Sequence, residues 1–245
     1  LSTLDYLAKT IQKEMHVSFV RLYKDAPVQV DGIITFGAFS EDEIYFLQTL
    51  SHHIVFVNSD QEDYQHDQIM IDYFRGMQQT VNYLIDEKHF TAIGYIGGVY
   101  ACNDIRIGYR RLEGLIRHLK ARDMYDPDAI WVGELSEQSG YQLMTQAMER
   151  GSLPEAIIFG NDAVAAGALR AIEEAGLSIP DDIAVVIYND IETLKPDYPT
   201  YTYLNMYPDF VWQTAIELLI ERILNRRTLT MKIIIPTRLS LGDST

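Results

Sequence analysis

Short apolar runs alternate with longer amphipathic segments along nearly the whole chain, and this rhythm limits the fold more than any other feature. The runs are apolar at every position rather than at every second one, which is typical of parallel strands covered on both faces. Between the runs, apolar residues recur three and four apart, as on one face of an α-helix; Met77, Val81, Leu84 and Ile85 form one such set. The sequence therefore predicts an α/β fold of doubly wound parallel sheets.

The alternation supplies enough units for two lobes rather than one. Strands are predicted at 17–23, 32–36, 54–58, 93–96, 129–132, 156–159 and 184–187. Helices are predicted at 40–50, 73–87, 108–122, 138–150, 163–175 and 209–225, after an opening helix at 4–15. Ser40 followed by Glu43 predicts a capping box at a helix start. Because a doubly wound lobe normally begins with a strand, the opening helix indicates that the first strand is missing from this chain.

The balance of charge argues against nucleic-acid binding by this chain alone. Its formal net charge is −15, from 20 basic and 35 acidic residues, whereas contacts to phosphate come from Lys and Arg. No apolar run approaches the length of a membrane span, so no membrane partner is predicted. The single cysteine, Cys102, excludes an intrachain disulfide. These features fit a cytoplasmic protein.

Motifs of the common enzyme classes are absent. The chain has no G-x-x-x-x-G-K-[ST], no G-x-S-x-G, no H-E-x-x-H and no paired C-x-x-C. His52 and His53 are adjacent, and adjacent strand residues point to opposite faces, so a packed or solvated pair is favoured over a metal site. Carboxylates are numerous, but no two of them stand out as a glycosidase pair. We therefore predict a protein without catalytic residues, metal or cofactor.

Several phrases of the sequence, in order and consistently spaced, carry a family resemblance that runs from Asp31 to Thr245. The longest, at 159–186, is F-G-N-D-A-V-A-A-G-A-L-R-A-I-E-E-A-G-L-S-I-P-D-D-I-A-V-V. The others are D-G-I-I at 31–34, I-V-F-V-N at 54–58, I-D-Y-F-R-G at 71–76, I-G-Y-I-G-G at 93–98 and P-T-R-L-S-L-G-D-S-T at 236–245. In these phrases the chain resembles the LacI/GalR family of transcriptional regulators. Residues 37–40 and 190–191 are similar to those of the galactoside-operon repressors within it.

The resemblance implies a type I periplasmic-binding-protein-like fold, with two lobes joined by three crossings and a sugar bound between them. The expected lobes are 1–98 with 207–235, and 99–206 with 236–245. It also implies a homodimer, and an N-terminal helix-turn-helix that contacts operator DNA and is absent from this chain. The function expected is the non-enzymatic sugar-sensing core of a cytoplasmic repressor, with a galactoside as effector. A periplasmic-type sugar-binding protein of a transporter and a sugar-processing enzyme stay open as alternatives.

The resemblance assigns ligand contacts to residues near strand ends, where open α/β sheets bind ligands. Asp72 matches a ligand-facing aspartate, and its carboxylate could accept from two adjacent sugar hydroxyls. The alternative role for Asp72 is the N-cap of the helix at 73–87. Arg111 matches the arginine of an R-x-x-G helix start and offers a fork of donors to hydroxyls. Arg106 competes with Arg111 for this role.

Asparagines supply the remaining polar candidates, because an amide both donates and accepts as sugar hydroxyls do. Asn161 is the expected ligand contact, with the neighbouring Asp162 as the cap of the following helix. Asn189 stands where many relatives have aspartate, and Asp190 could take over its contact. Asn205, near the expected second crossing, is a further candidate.

An aromatic ring against the apolar face of the sugar is also expected. The position at which the family often has an aromatic residue is Leu135 in this chain. Trp131 is assigned to a strand core. Tyr100, just after the expected first crossing, is therefore the candidate for this ring.

Overall fold

The computed structural model describes residues 29–59, 65–102, 105–188 and 200–245, with backbone alone at 101–102 and 105–107. The predicted helix at 4–15 and the predicted strand at 17–23 lie outside these residues, as do the candidates Asn189 and Asp190. No helix within the described ranges combines the length and the apolar character needed to cross a bilayer.

Strands and helices alternate through the described residues, as the sequence predicts. The strands are β1 (Ile33–Phe36), β2 (Ile54–Val57), β3 (Asp67–Ile71), β4 (Ile93–Gly98), β5 (Tyr100–Cys102), β6 (Ile105–Ile107), β7 (Ile130–Gly133), β8 (Ala156–Phe159), β9 (Ala184–Ile187), β10 (Thr202–Asn205), β11 (Lys232–Ile235) and β12 (Arg238–Ser240). The helices are α1 (Glu41–Leu50), α2 (Tyr73–Asn82), α3 (Tyr109–Lys120), α4 (Glu137–Glu149), α5 (Asp162–Glu174) and α6 (Pro208–Ile223). A π-helical turn (Tyr83–Glu87) extends α2, and a 3-10 turn (Pro127–Ala129) precedes β7.

The chain divides into two compact units, and the first contains a four-stranded parallel sheet in the order β1-β2-β3-β11. Every residue of β2 is buried, because helices cover both faces of a parallel sheet. Leu47 of α1 packs on Ile54 and Phe56. The backbone N–H of Glu43 donates to the Ser40 hydroxyl, and the Ser40 N–H donates to the Glu43 carboxylate. The predicted capping box is thereby confirmed.

The second unit contains a six-stranded sheet in the order β12-β10-β9-β8-β4-β7, parallel except for the β10–β12 pair. On one face, α4 and α5 form a core with Ile96, Ile157 and Val185. Since successive strand residues point to opposite faces, Tyr95 of β4 lies on the other face. Helices α2 and α3 pack against each other, and β5 and β6 form a separate two-stranded sheet. The α/β fold with parallel sheets is therefore the predicted one.

The first boundary between the units differs from the predicted lobes. The opening segment of the first unit ends at Ile71, whereas the sequence placed this boundary after residue 98. β4 lies between β8 and β7 in the six-stranded sheet, so residues 72–98 belong to the second unit. The error has a physical cause, since a buried apolar strand looks the same in either sheet and only its neighbours show where it belongs. The later divisions fall at 206–207 and 235–236, where the sequence placed them.

Candidate ligand-binding site

Three residues expected to contact a ligand lie at starts of helices in the second unit. Asp72 begins α2, Arg111 lies in the first turn of α3, and Asn161 begins α5. Tyr188 directly follows β9, and the charges of both Arg111 and Asp72 influence the pKa of its phenol. The carboxyl edge of a parallel sheet is where open α/β folds bind ligands, so these residues define a candidate site within one unit.

The Arg111 guanidinium is held by a carbonyl and two aromatic rings. Its Nη1 donates to the Gly160 carbonyl at 2.5 Å, and its Cζ lies 5.6 Å from the ring centroid of Tyr188 and 6.0 Å from that of Tyr73. Cations are attracted to aromatic faces at such distances. A guanidinium carries five N–H donors, so one bond to Gly160 leaves donors with which Arg111 can bind a ligand.

Tyr188 and Tyr95, two tyrosines close to Arg111, remain neutral phenols. Burial raises the pKa of Tyr188 well above its ordinary value, the negative charge of an ionised Tyr73 would raise it further, and Arg111 opposes both effects. Burial likewise raises the pKa of Tyr95, again against the charge of Arg111. A phenol whose pKa lies above its ordinary value stays protonated at neutral pH. The positive charge of Arg111 is therefore not cancelled by a phenolate beneath it.

Two glycines near the end of the strands leave space for the Tyr95 hydroxyl. A Cβ at Gly97 or Gly160 would collide with the Tyr95 phenol, so both positions require glycine for close approach. The hydroxyl is buried and has no hydrogen-bond partner among the described residues. Tyr95 itself is fully buried in the sheet.

Asp72 is the N-cap of α2. Its Oδ1 accepts from the backbone N–H of Arg75 at 3.0 Å, which satisfies one of the N–H groups left unpaired at a helix start. The capping role that the sequence offered as an alternative is therefore present. Because a carboxylate has two oxygens with several acceptor positions, capping leaves acceptor capacity for a ligand, and this contact stays a prediction.

The cap of α5 is Asn161, which corrects the assignment of that role to Asp162. Asn161 has an extended backbone (φ −164°, ψ 175°), and its side chain accepts from the Val164 N–H at 3.0 Å. Asp162 is already the first helical residue and is exposed. Asn and Asp cap helices about equally well, so adjacent residues of these types cannot be told apart from sequence. The cap uses the amide oxygen of Asn161, and its NH2 group remains the candidate donor to a ligand.

The remaining candidates lie elsewhere in the described chain. Asn205 ends β10, is partly buried and pairs in register with Arg238 of β12. Tyr100 lies on β5 with 54% of its surface exposed. The backbone of Arg106 lies in β6. Trp131 packs against the core between the sheet, α4 and α5, as predicted. Ligand contacts by Asn205 and Tyr100 stay predictions.

Sequence reasoning missed Tyr188 and Tyr73 as neighbours of Arg111. A signal was present, because Tyr188 directly follows a buried strand on the sheet edge at which ligands bind. The chain has 16 tyrosines, however, and residue type alone does not separate one from another. Among the described residues, no group of three His, Cys, Asp or Glu side chains could hold a metal ion.

Comparison with known proteins finds similarity to regulators of transcription. The family model described as a periplasmic binding protein-like domain matches residues 81–245. The HTH-type transcriptional repressor MelR of Bacillus subtilis is 31% identical over 224 residues, which are 88% of this chain and 63% of MelR. The HTH-type transcriptional regulator GalR of Streptococcus thermophilus is 30% identical over 239 residues, 95% of this chain and 72% of GalR.

The chain belongs to the LacI/GalR family. A solved LacI-family regulator from Enterococcus faecium, with bound ribose, superimposes with a TM-score of 0.74 at 25% identity, covering 88% of this chain and 80% of that one. The fold is thus that of a LacI-family effector-binding core. These relatives are regulators rather than enzymes, which confirms the expectation of a non-enzymatic family. The chain spans 63% of the length of MelR.

Proposed function

We propose that this LacI/GalR-family chain is the sugar-sensing core of a transcriptional repressor and binds its effector at the carboxyl edge of the six-stranded sheet. The observation that carries the proposal is the placement of Arg111 at that edge, among Tyr73, Tyr188 and the Gly160 carbonyl. MelR is a repressor, and the Enterococcus faecium regulator holds ribose. These similarities support a small sugar as the ligand.

The side chains at this edge offer both kinds of hydrogen-bonding group that a sugar needs. Arg111 provides charged donors, the Asn161 NH2 provides a neutral donor, and the second Asp72 oxygen provides an acceptor. Hydroxyls donate and accept together, so a polyhydroxylated ring can satisfy all three. Within the sugars we favour a galactoside, because residues 37–40 are similar to those of galactoside-operon repressors.

In the whole protein, we propose that sugar binding favours one arrangement of the core over another. The core would act as a homodimer in the cytoplasm, and the change would be transmitted to N-terminal helix-turn-helix heads that bind operator DNA. The acidic chain supports DNA binding by separate heads rather than by the core, since a net charge of −15 disfavours direct contact with phosphate.

Asn189, Asn205 and Tyr100 are the further ligand contacts that we propose.

A thermal-shift titration with galactose, melibiose, lactose and ribose tests the proposal. A ligand that binds only the folded state at a hundredfold excess over its Kd stabilises it by about 2.7 kcal/mol. For a chain of this size, that corresponds to a rise in Tm of about 5–10 °C. We expect a galactoside to give this rise. A Tm unchanged by all four sugars at millimolar concentrations would contradict the proposal.

The sequence leaves two alternative functions open, a sugar-processing enzyme and a transporter's sugar-binding protein. A sugar-processing enzyme would convert the bound sugar, so chromatography after overnight incubation would show product, whereas a sensor leaves the sugar intact. The similarity to HTH-type regulators favours a repressor over a transporter's binding protein.

A further inference from the structure

Tyr188 lies behind the proposed ligand site and contacts two of its parts at once. The residue is completely buried, and its hydroxyl donates to the Tyr73 carbonyl at 3.0 Å. The Tyr73 and Tyr188 ring centroids are 5.8 Å apart, with the planes inclined by 37°. Tyr73 is the residue next to Asp72, so this hydrogen bond fixes the start of α2 against the end of β9.

The same ring also contacts Arg111. The Arg111 Cζ lies 5.6 Å from the Tyr188 centroid and 6.0 Å from the Tyr73 centroid. A guanidinium attracted to two aromatic faces has less rotational freedom than an exposed one. The bond from Nη1 to Gly160 fixes one further direction. These contacts restrict the orientation of Arg111 before any ligand arrives.

We propose that Tyr188 is a positioning residue for ligand binding, which holds the Arg111 guanidinium and the Asp72 end of α2 in one fixed arrangement. The inference rests on the proposed function, because it assigns a role to a residue behind the same site. Tyr188 does not itself touch the ligand, since it has no exposed surface and its hydroxyl is bonded to Tyr73. A site organised in advance binds more tightly because less freedom is lost on binding.

The alternative is that Tyr188 is only a core residue, whose loss lowers stability and does nothing specific to Arg111. The two roles differ in their coupling to Arg111. A positioning residue improves affinity through Arg111, so its effect vanishes when Arg111 is absent. A core residue has the same effect with or without Arg111, because the two contributions are independent.

The first arm of the test needs no ligand. In the arginine Nε–Hε NMR spectrum of the whole chain, the Arg111 signal, assigned by its loss in Arg111→Ala, is expected at an upfield position because of the tyrosine rings. Tyr188→Leu should move it toward the position of exposed arginines and broaden it. Tyr188→Phe, which loses only the bond to Tyr73, should shift it less. The matched control is Tyr95→Phe, because the Tyr95 hydroxyl has no partner among the described residues, and this variant should leave the signal in place.

The second arm uses D-galactose as the probe in calorimetric titration. Tyr188→Leu is expected to weaken binding by about five- to tenfold, with no further loss when added to Arg111→Ala. Equal losses in the two backgrounds, or an Arg111 signal that Tyr188→Leu leaves unchanged, would overturn the inference. If Tyr188→Leu does not fold, the Phe variants decide, since Tyr188→Phe must shift the Arg111 signal and Tyr95→Phe must not. If the parent chain does not bind galactose, melibiose or lactose takes its place in the titration. If the chain binds none of the three, the proposed effector is wrong, while the NMR arm still decides the role of Tyr188.

Discussion

At the scale of single residues, capping a helix and contacting a ligand are two uses of the same side chain. The resemblance assigns ligand contacts to Asp72 and Asn161, which stand at strand-to-helix junctions, and the structure shows both as N-caps. The sequence could place them at the junction but could not choose the cap, since Asn161 and Asp162 are equally suited to it. The neighbours of Arg111 could not be predicted either, because the Tyr73 and Tyr188 contacts join residues far apart in the chain.

Substitutions at Asn161 separate its two uses. Asn161→Ala removes the acceptor of the Val164 N–H and should lower the free energy of unfolding by about 1 kcal/mol. Asn161→Asp keeps the acceptor but replaces the NH2 donor, so stability should be retained while sugar affinity falls. Urea unfolding and calorimetric titration of both variants provide the two measurements. An Asn161→Ala variant as stable as the parent would show that the cap contributes nothing.

At the scale of elements, the sequence predicted helices better than strand membership. The apolar spacing placed α3, α4 and α5 within two residues of their observed bounds, because it recurs over several turns. It could not show that the segment predicted as one helix at 73–87 changes at Tyr83 from α-helical to π-helical hydrogen bonding. The apolar pattern did not predict β10 or β11, since β10 has only two consecutive apolar residues and β11 only three. The segment 236–245, which contains β12, was assigned to a closing strand by the family resemblance alone.

An ion pair in the first unit connects the segment after α6 to β3, and it should be essential for stability. Arg227 donates to both carboxylate oxygens of Asp67, at 2.9 and 2.6 Å, and Asp67 is completely buried. Arg227→Met would leave a buried carboxylate unpaired and should cost about 3–5 kcal/mol in urea unfolding. The control is Arg170→Met, which breaks an exposed pair with Glu137 and should cost at most about 1 kcal/mol. Similar losses of unfolding free energy in Arg227→Met and Arg170→Met would contradict a special role for the buried ion pair.

The hydrogen bonds between Glu155 and residues 91–92 should make the stability of the fold depend on pH. The Glu155 carboxylate before β8 accepts from the backbone N–H groups of Thr91 and Ala92 and from the Thr91 hydroxyl, and these bonds lower its pKa. A carboxyl whose pKa is lower in the folded chain stabilises the fold above its unfolded pKa, and the contribution is lost as the pH falls through the folded pKa. Glu155→Gln should therefore be less stable than the parent at pH 7.

The same comparison in acid checks the sign of this effect. The stability difference between Glu155→Gln and the parent should narrow as the pH falls below the ordinary range of a glutamate. Glu149, an exposed residue at the end of α4, provides the control, and Glu149→Gln should track the parent at both pH values. A difference for Glu155→Gln that widens in acid would contradict the role of these hydrogen bonds.

At the scale of the whole molecule, fold class and family follow from the sequence, whereas the assignment of residues 72–98 to a unit does not. The phrases that carry the resemblance are local, but membership of a sheet depends on pairing with strands distant in sequence, such as β4 with β8.

The family also implies a second copy of the chain. We expect sedimentation velocity to show a homodimer across micromolar concentrations, and a monomer throughout that range would contradict the expectation.

Arg111 is the residue that we propose binds the effector at the carboxyl edge of the six-stranded sheet. The most direct test compares Arg111→Ala with Arg106→Ala by calorimetric titration, using the sugar that raises the Tm of the parent chain and variants confirmed to be folded. Arg111→Ala should weaken binding roughly ten- to hundredfold, because hydroxyls of the bound sugar lose charged donors. Arg106→Ala should bind nearly as the parent does. An Arg111→Ala variant with the affinity of the parent, or a larger loss for Arg106→Ala, would contradict the account.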